Sequence, residues 1–173
     1  MLQSTQRAHE LGHLVDVAPT RYNRLVLVVG PTGSGKTLIL RELAAARSLP
    51  LLNVNRLLGE RLLDLTRRQR SLSAARLLAE LIDQAPVGTV LLDNLELLFH
   101  PELDQDALRL LQALSRNRTV VAAWPGEVVD GALTYGRFGH PEHVRHTHPD
   151  ALILELSPAG ETIPSSARKT MET

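Results

Sequence analysis

Residues 24–37, RLVLVVGPTGSGKT, decide the fold. A β-branched run, Leu25 to Val29, leads directly into Gly30, Pro31, Thr32, Gly33, Ser34, Gly35, Lys36 and Thr37. The pattern is G-x-x-x-x-G-K-T, a phosphate-binding loop, which requires a strand before it and a helix after it. Glycines let the backbone curl until successive N–H groups point inward at phosphate oxygens. Lys36 is placed to reach the β- and γ-phosphates, and the Thr37 hydroxyl to take a magnesium position. The helix that starts here adds the positive end of its dipole. A chance glycine-rich turn would not fit at eight positions with both flanks correct. The expected ligands are ATP and Mg2+. An N/T-K-x-D run that would read guanine is absent.

The rest of the composition bounds this reading. A chain of 173 residues suits one domain with a sizeable core. With 43% hydrophobic but only 3% aromatic residues, Leu, Val and Ala must fill that core. The formal net charge is zero, so no global basic field draws the protein to nucleic acid, and direct DNA binding is left open. The absence of cysteine excludes a disulfide scaffold and fits a reducing cytoplasm. The N-terminal MLQSTQRAHELGHL is too polar for a signal peptide, and no apolar run reaches membrane-spanning length. A soluble cytoplasmic protein is expected.

Working outward from the loop, residues 1–24 carry an amphipathic helix around Gln3 to Leu14 and a turn at Pro19. Tyr22 is a candidate to stack on a nucleotide base, against plain surface packing. A helix from Lys36 to about Arg47 is followed by a second strand, Leu51–Val54. Leu58, Leu62 and Leu65, then Leu77, Leu78, Leu81, Ile82 and Ala85, recur at helical spacing. Between them Arg67, Arg68 and Arg70 read as a solvated inter-helix loop, or as a contact to phosphate or an acidic partner. Thr89 to Leu92 is apolar throughout, as a parallel strand buried on both faces would be. Asp104 or Asp106 is placed to cap a helix carrying Ala107, Leu108, Leu111 and Leu114. Thr119–Ala123 reads as a fourth strand, 127–150 as loop, and Ala151–Leu156 as a fifth strand. The polar tail 157–173 is expected to be disordered. Strands alternating with helices predict a three-layer α/β/α P-loop NTPase sandwich around a mostly parallel five-stranded sheet. Residues 25–156 would form that domain, with 1–24 and 157–173 flanking it.

Val90-Leu91-Leu92-Asp93 fits the Walker B pattern, four residues ending in an acid at the carboxyl edge of a central strand. Asp93 would hold magnesium beside Thr37. Hydrolysis also needs a group to orient or deprotonate the attacking water. The residue after Asp93 is Asn94, which can orient a water but cannot take its proton. Glu96 is the candidate base, or alternatively a first-turn helix acid favoured by the dipole. At the end of the fourth strand, where a polar γ-phosphate sensor is usual, stands Trp124. Asn117 and Arg118 would lie at the opposite edge of the sheet. Asn94 and Trp124 argue for slow hydrolysis.

Several stretches resemble one family: LNVNRLLGERLLDLTRRQR (52–70), LLDNLELLF (91–99), LSRNRTVVAAWPG (114–126) and LTYGRFGHPEH (133–143), with the phosphate loop. They are similar to BrxF, small P-loop proteins of type III BREX (bacteriophage exclusion) islands. The resemblance runs from about Arg24 to Leu156. It implies an ATPase-like component of a bacterial phage-defence system, with an AAA+-like core and no clear lid domain. It also implies work beside a DNA methyltransferase, a helicase and a larger ATPase. In related multi-subunit ATPases an arginine finger lies just before the fifth strand. Here that position falls in His140 to Pro149, which makes Arg145 the candidate and Arg137 the reserve. A homo-oligomer is therefore expected.

Three functions compete. An ATP hydrolase whose cycle controls assembly is the leading one. A nucleotide-dependent binding module with little hydrolysis is favoured by Asn94 and Trp124. A small-molecule kinase fits the length, but no acceptor-reading acid pair is evident. Finally, His140, His143, His146 and His148 suggest a transition-metal site, against an ordinary solvated loop.

Overall fold

A computed structural model describes residues 2–158. The expected disordered tail lies, from residue 159 on, outside the described residues. Five strands form one parallel sheet: β1 (Leu25–Val29), β2 (Leu51–Asn53), β3 (Val90–Asp93), β4 (Val120–Trp124) and, last in the chain, β8 (Leu152–Glu155). Their order is β2-β3-β4-β1-β8, and each neighbouring pair is parallel. Residues 25–29 and 90–93 are buried without exception, the pattern of central strands covered on both faces.

Helices cover both faces, which makes the three layers. On one face lie α1 (Leu2–Val17) and α2 (Lys36–Arg47), burying Leu11, Val15, Ile39, Leu40 and Leu43 against Val26, Val28, Leu91 and Val121. The Arg47 guanidinium clasps both oxygens of Asp16 at 2.7 and 3.1 Å, and the Ser4 hydroxyl donates to Glu42 at 2.9 Å. The expected N-terminal helix is thus part of the sandwich, extended at both ends.

The other face holds α3 (Val54–Leu62), α4 (Arg67–Asp83) and α5 (Ala107–Leu114) over Leu25, Leu27, Leu92, Val120 and Ala122. The Asp106 carboxylate, not that of Asp104, caps α5, accepting from Arg109 N at 3.1 Å. Here the structure corrects the reading of the basic run. Arg67, Arg68 and Arg70 are the first turn of α4, because Thr66 and Gln69 form a capping box. Arg70 donates to the carbonyls of Leu62, Leu65 and Leu63 at 2.9 to 3.2 Å, satisfying the open end of α3. Arg118 does the same beyond α4, donating to Ile82, Pro86 and Gly88.

The segment 127–150 is the larger correction. It is not loop but a three-stranded antiparallel sheet, β5 (Glu127–Val129), β6 (Ala132–Tyr135) and β7 (Val144–His146). Trp124 anchors it: the indole N–H donates to Thr134 O at 2.9 Å, and the ring meets Phe99 edge-on at 4.9 Å. Gly126 is required beside it, since a Cβ there would run into the Thr134 carbonyl.

Candidate functional site

The sheet order builds the cleft. Inserting β4 between β1 and β3 puts the loop after β1 and the end of β3 on either side of the carboxyl end of β4. Open α/β sheets bind ligands at such an edge. A cleft of about 400 Å³ lies there, lined by Thr32, Gly33, Gly35, Lys36, Thr37, Asp93, Asn94 and Glu96 together with Leu38, Arg41 and Ala123. Most of the residues singled out from the sequence therefore converge on one cavity. Gly30, Pro31 and Ser34 stand behind that lining: the Gly30 and Pro31 carbonyls accept from the Lys36 ammonium, and the Ser34 hydroxyl is buried.

Within the loop, Gly33 (φ 80°) and Gly35 (φ 94°) hold left-handed backbone, and a Cβ on either would meet open space. What requires glycine there is the backbone angle, not crowding. Gly35 is also the N-cap of α2, so the first N–H groups of that helix open into the cleft. Lys36 is buried, and its ammonium donates to Gly30 O at 2.5 Å and Pro31 O at 2.7 Å. Burial pushes that ammonium below its ordinary value, against the opposing pull of the Glu96 and Asp93 carboxylates. Ser34 Oγ is buried with no hydrogen-bond partner among the described residues. Open N–H groups beside a desolvated ammonium are the donor set a phosphate would satisfy, whereas the Ser34 hydroxyl packs against Gly30 outside the cleft lining.

Asp93 ends β3, buried, with Oδ1 accepting from Asn94 N at 3.0 Å. Its carboxylate and the Thr37 hydroxyl line the same cleft and are hard oxygen ligands of the type Mg2+ prefers. Asn94 takes a left-handed turn (φ 54°), and its carbonyl accepts from Asn55 N at 2.9 Å. That turn starts a 3-10 segment, Glu96–Phe99, and aims the exposed Glu96 at the cleft.

Two residues in this region escaped the sequence reading. Asn55, in the first turn of α3, donates to Glu96 Oε2 at 2.9 Å and accepts from Leu97 N at 2.8 Å. Arg41, one turn along α2 from Thr37, opens into the cleft. Asn55 carried no signal, since its partners lie 41 and 42 residues away. Arg41 did carry one: it follows Thr37 by four, the spacing of one helix face.

Other expected residues lie elsewhere. Trp124 stands at the end of β4 but turns into the core, and its neighbour Ala123 faces the cleft. Arg145 lies exposed on β7 opposite Thr134, and Arg137 is exposed in the loop after β6; neither lines the cleft of its own chain. Tyr22 is 76% exposed before β1, with the Arg116 guanidinium 5.8 Å from its ring, outside the cleft. Three of the four histidines have separate neighbours: His140 accepts from Glu142 N, His143 contacts Gly136 O, and His146 meets Trp124 edge-on. Among the described residues no three His, Asp or Glu side chains are grouped to hold a metal ion. No described helix is long and apolar enough to cross a membrane.

No protein-family model matches the sequence, and no curated protein matches it. Among solved structures, that of C. elegans PCH-2 is similar, with a TM-score of 0.47 and 16% identity. The match covers 90% of this chain and 42% of that one, so this chain spans less than half the length of its structural neighbour.

Proposed function

We propose that this chain binds ATP and hydrolyses it slowly with magnesium, in a cytoplasmic cycle that controls its own assembly. The observation that carries the reading is the convergence of Lys36, Thr37, Asp93 and Glu96 on one cleft at the carboxyl edge of the sheet. In this reading residues 25–156 carry the nucleotide site, and α1 completes the sandwich by packing on one face of their sheet. The loop from Gly30 to Thr37 wraps the phosphates, and Lys36 exchanges its two loop carbonyls for phosphate oxygens. Magnesium would be held by Thr37 and Asp93, and when bound it neutralises charge on the β- and γ-oxygens. Glu96, held by Asn55, takes the proton of the attacking water, and Asn94 helps to orient that water.

The resemblance to BrxF supports a role in a bacterial phage-defence system, beside a methyltransferase, a helicase and a larger ATPase. Assembly with itself would bring the Arg145 of a neighbouring subunit to the transferred phosphate. A second reading, a nucleotide-dependent binding module with little hydrolysis, is favoured by Ala123 and Trp124. Between them they leave no polar side chain at the end of β4. Phosphate release from Mg·ATP without any added acceptor tests both. Release in proportion to enzyme supports the hydrolase, tight binding without release supports the module, and neither binding nor release refutes both.

A further inference from the structure

We infer that Arg41 is a γ-phosphate-binding residue, a second cation supplied to the nucleotide by the same chain. The inference rests on the proposed nucleotide reading and goes beyond the phosphate-loop motif, which contains only Lys36.

Four observations carry it. First, Arg41 lines the cleft that Lys36, Thr37, Asp93 and Glu96 also line. Second, its position on α2 aims it there. Arg41 follows Thr37 by four residues, so both lie on one face of the helix, and helical side chains lean toward the N-terminus. The Arg41 stem therefore points back along α2 toward the phosphate-loop end, over Thr37. Its Cα lies only about 7.5 Å beyond that of Lys36 along the axis. Third, Arg41 is exposed and forms no ion pair among the described residues, so no carboxylate holds its guanidinium. Fourth, Arg41 is the one side-chain cation besides Lys36 in the lining of the cleft, which Asp93 and Glu96 line with two carboxylates, so it adds a second positive side chain to the magnesium proposed on Asp93.

The chemistry fits the γ-phosphate better than the rest of the nucleotide. Lys36 and the loop N–H groups serve the phosphates nearest α2. Arg41, one turn along α2 from Thr37, lines the same cleft as Glu96, so its reach is to the phosphate that the Glu96-activated water would attack. A guanidinium can give two parallel N–H bonds to such an oxygen pair, which an ammonium cannot. Arg41 would thus distinguish ATP from ADP, and Lys36 would bind both.

The test is equilibrium binding of Mg·ATP and Mg·ADP to the full chain, for wild type, Arg41→Ala and Arg41→Lys, with circular dichroism as the check on folding. The expected result is that Arg41→Ala weakens ATP about tenfold or more while ADP changes less than about twofold, and that Arg41→Lys recovers part of the loss. If wild type binds ATP but both variants keep its ATP-to-ADP ratio, the Arg41 assignment is overturned and the nucleotide reading stands. Equal weakening of ATP and ADP would also overturn it, since the residue would then act on the whole site. If wild type binds neither nucleotide, both are refuted.

Discussion

The side-chain amide of Asn55 spans the gap between α3 and the turn after β3, donating to Glu96 Oε2 at 2.9 Å and accepting from Leu97 N at 2.8 Å. One residue thus both fixes the backbone of the turn and holds the carboxylate that the turn presents. The two jobs separate by substitution. Asn55→Asp keeps an acceptor for Leu97 N but has no donor for Glu96, whereas Asn55→Ala loses both. Turnover is expected to fall in both variants with KM little changed; Asn55→Ala should lose about 1 kcal/mol of stability in urea through the bond to Leu97 N, and Asn55→Asp should lose stability through its carboxylate facing that of Glu96. An Asn55→Asp protein with wild-type kcat would rule out a positioning role.

Glu96→Gln keeps the shape of the side chain and can still meet Asn55, but it cannot accept a proton. Turnover should drop by about 100-fold or more, the usual contribution of a positioned base, while ATP affinity stays within about threefold. Single-turnover phosphate release measured beside equilibrium binding separates the two quantities. If turnover is unchanged, the base lies elsewhere, with water oriented by Asn94 the remaining route.

Lys36→Met removes the ammonium but keeps the apolar stem, so nucleotide binding should be lost while the circular dichroism spectrum is retained. The same variant has a pH signature. Burial lowers the Lys36 pKa from its ordinary 10.5, so the unfolded chain holds that proton more tightly than the folded one. Stability of the wild type therefore carries a penalty below the folded pKa, and the penalty fades as pH rises toward 10.5. Lys36→Met escapes it. Its urea midpoint, relative to wild type, should be highest near neutral pH and converge toward wild type in alkali. A constant offset across that range would contradict the desolvation argument.

Arg145 lies exposed on β7, away from the cleft of its own chain, so any contribution to hydrolysis must come across a subunit boundary. Specific activity should then rise with protein concentration, and Arg145→Ala should lower turnover at least about tenfold with ATP affinity nearly intact. Mixing Arg145→Ala with Lys36→Met should restore some activity, because each subunit supplies the part the other lacks. Concentration-independent turnover together with a fully active Arg145→Ala protein would exclude it.

The local features of this chain were legible from its residues. The run from Leu25 to Thr37 needs only its own neighbours to form a strand, a turn and a helix start, and the apolar run ending in Asp93 needs only burial on both faces. The layers followed from strands alternating with helices. Thr66 and Gln69 also carried a readable signal, the capping box that turns Arg67 to Arg70 into the first turn of α4.

What the tertiary structure alone decided are the relations between distant segments. β5, β6 and β7 have only three or four residues each, too few for a periodicity to stand out, and they exist because they pair with one another over Trp124 and Phe99. The facing of Trp124 and Ala123 depends on which side of β4 meets the cleft, and that in turn depends on β4 lying between β1 and β3. The joining of Asn55 to Glu96, and of Arg41 to the cleft of Asp93, rests on the same strand order. Local sequence specifies backbone geometry over a few residues. Which side chains meet across 40 residues is set by packing, once the sheet has chosen its order.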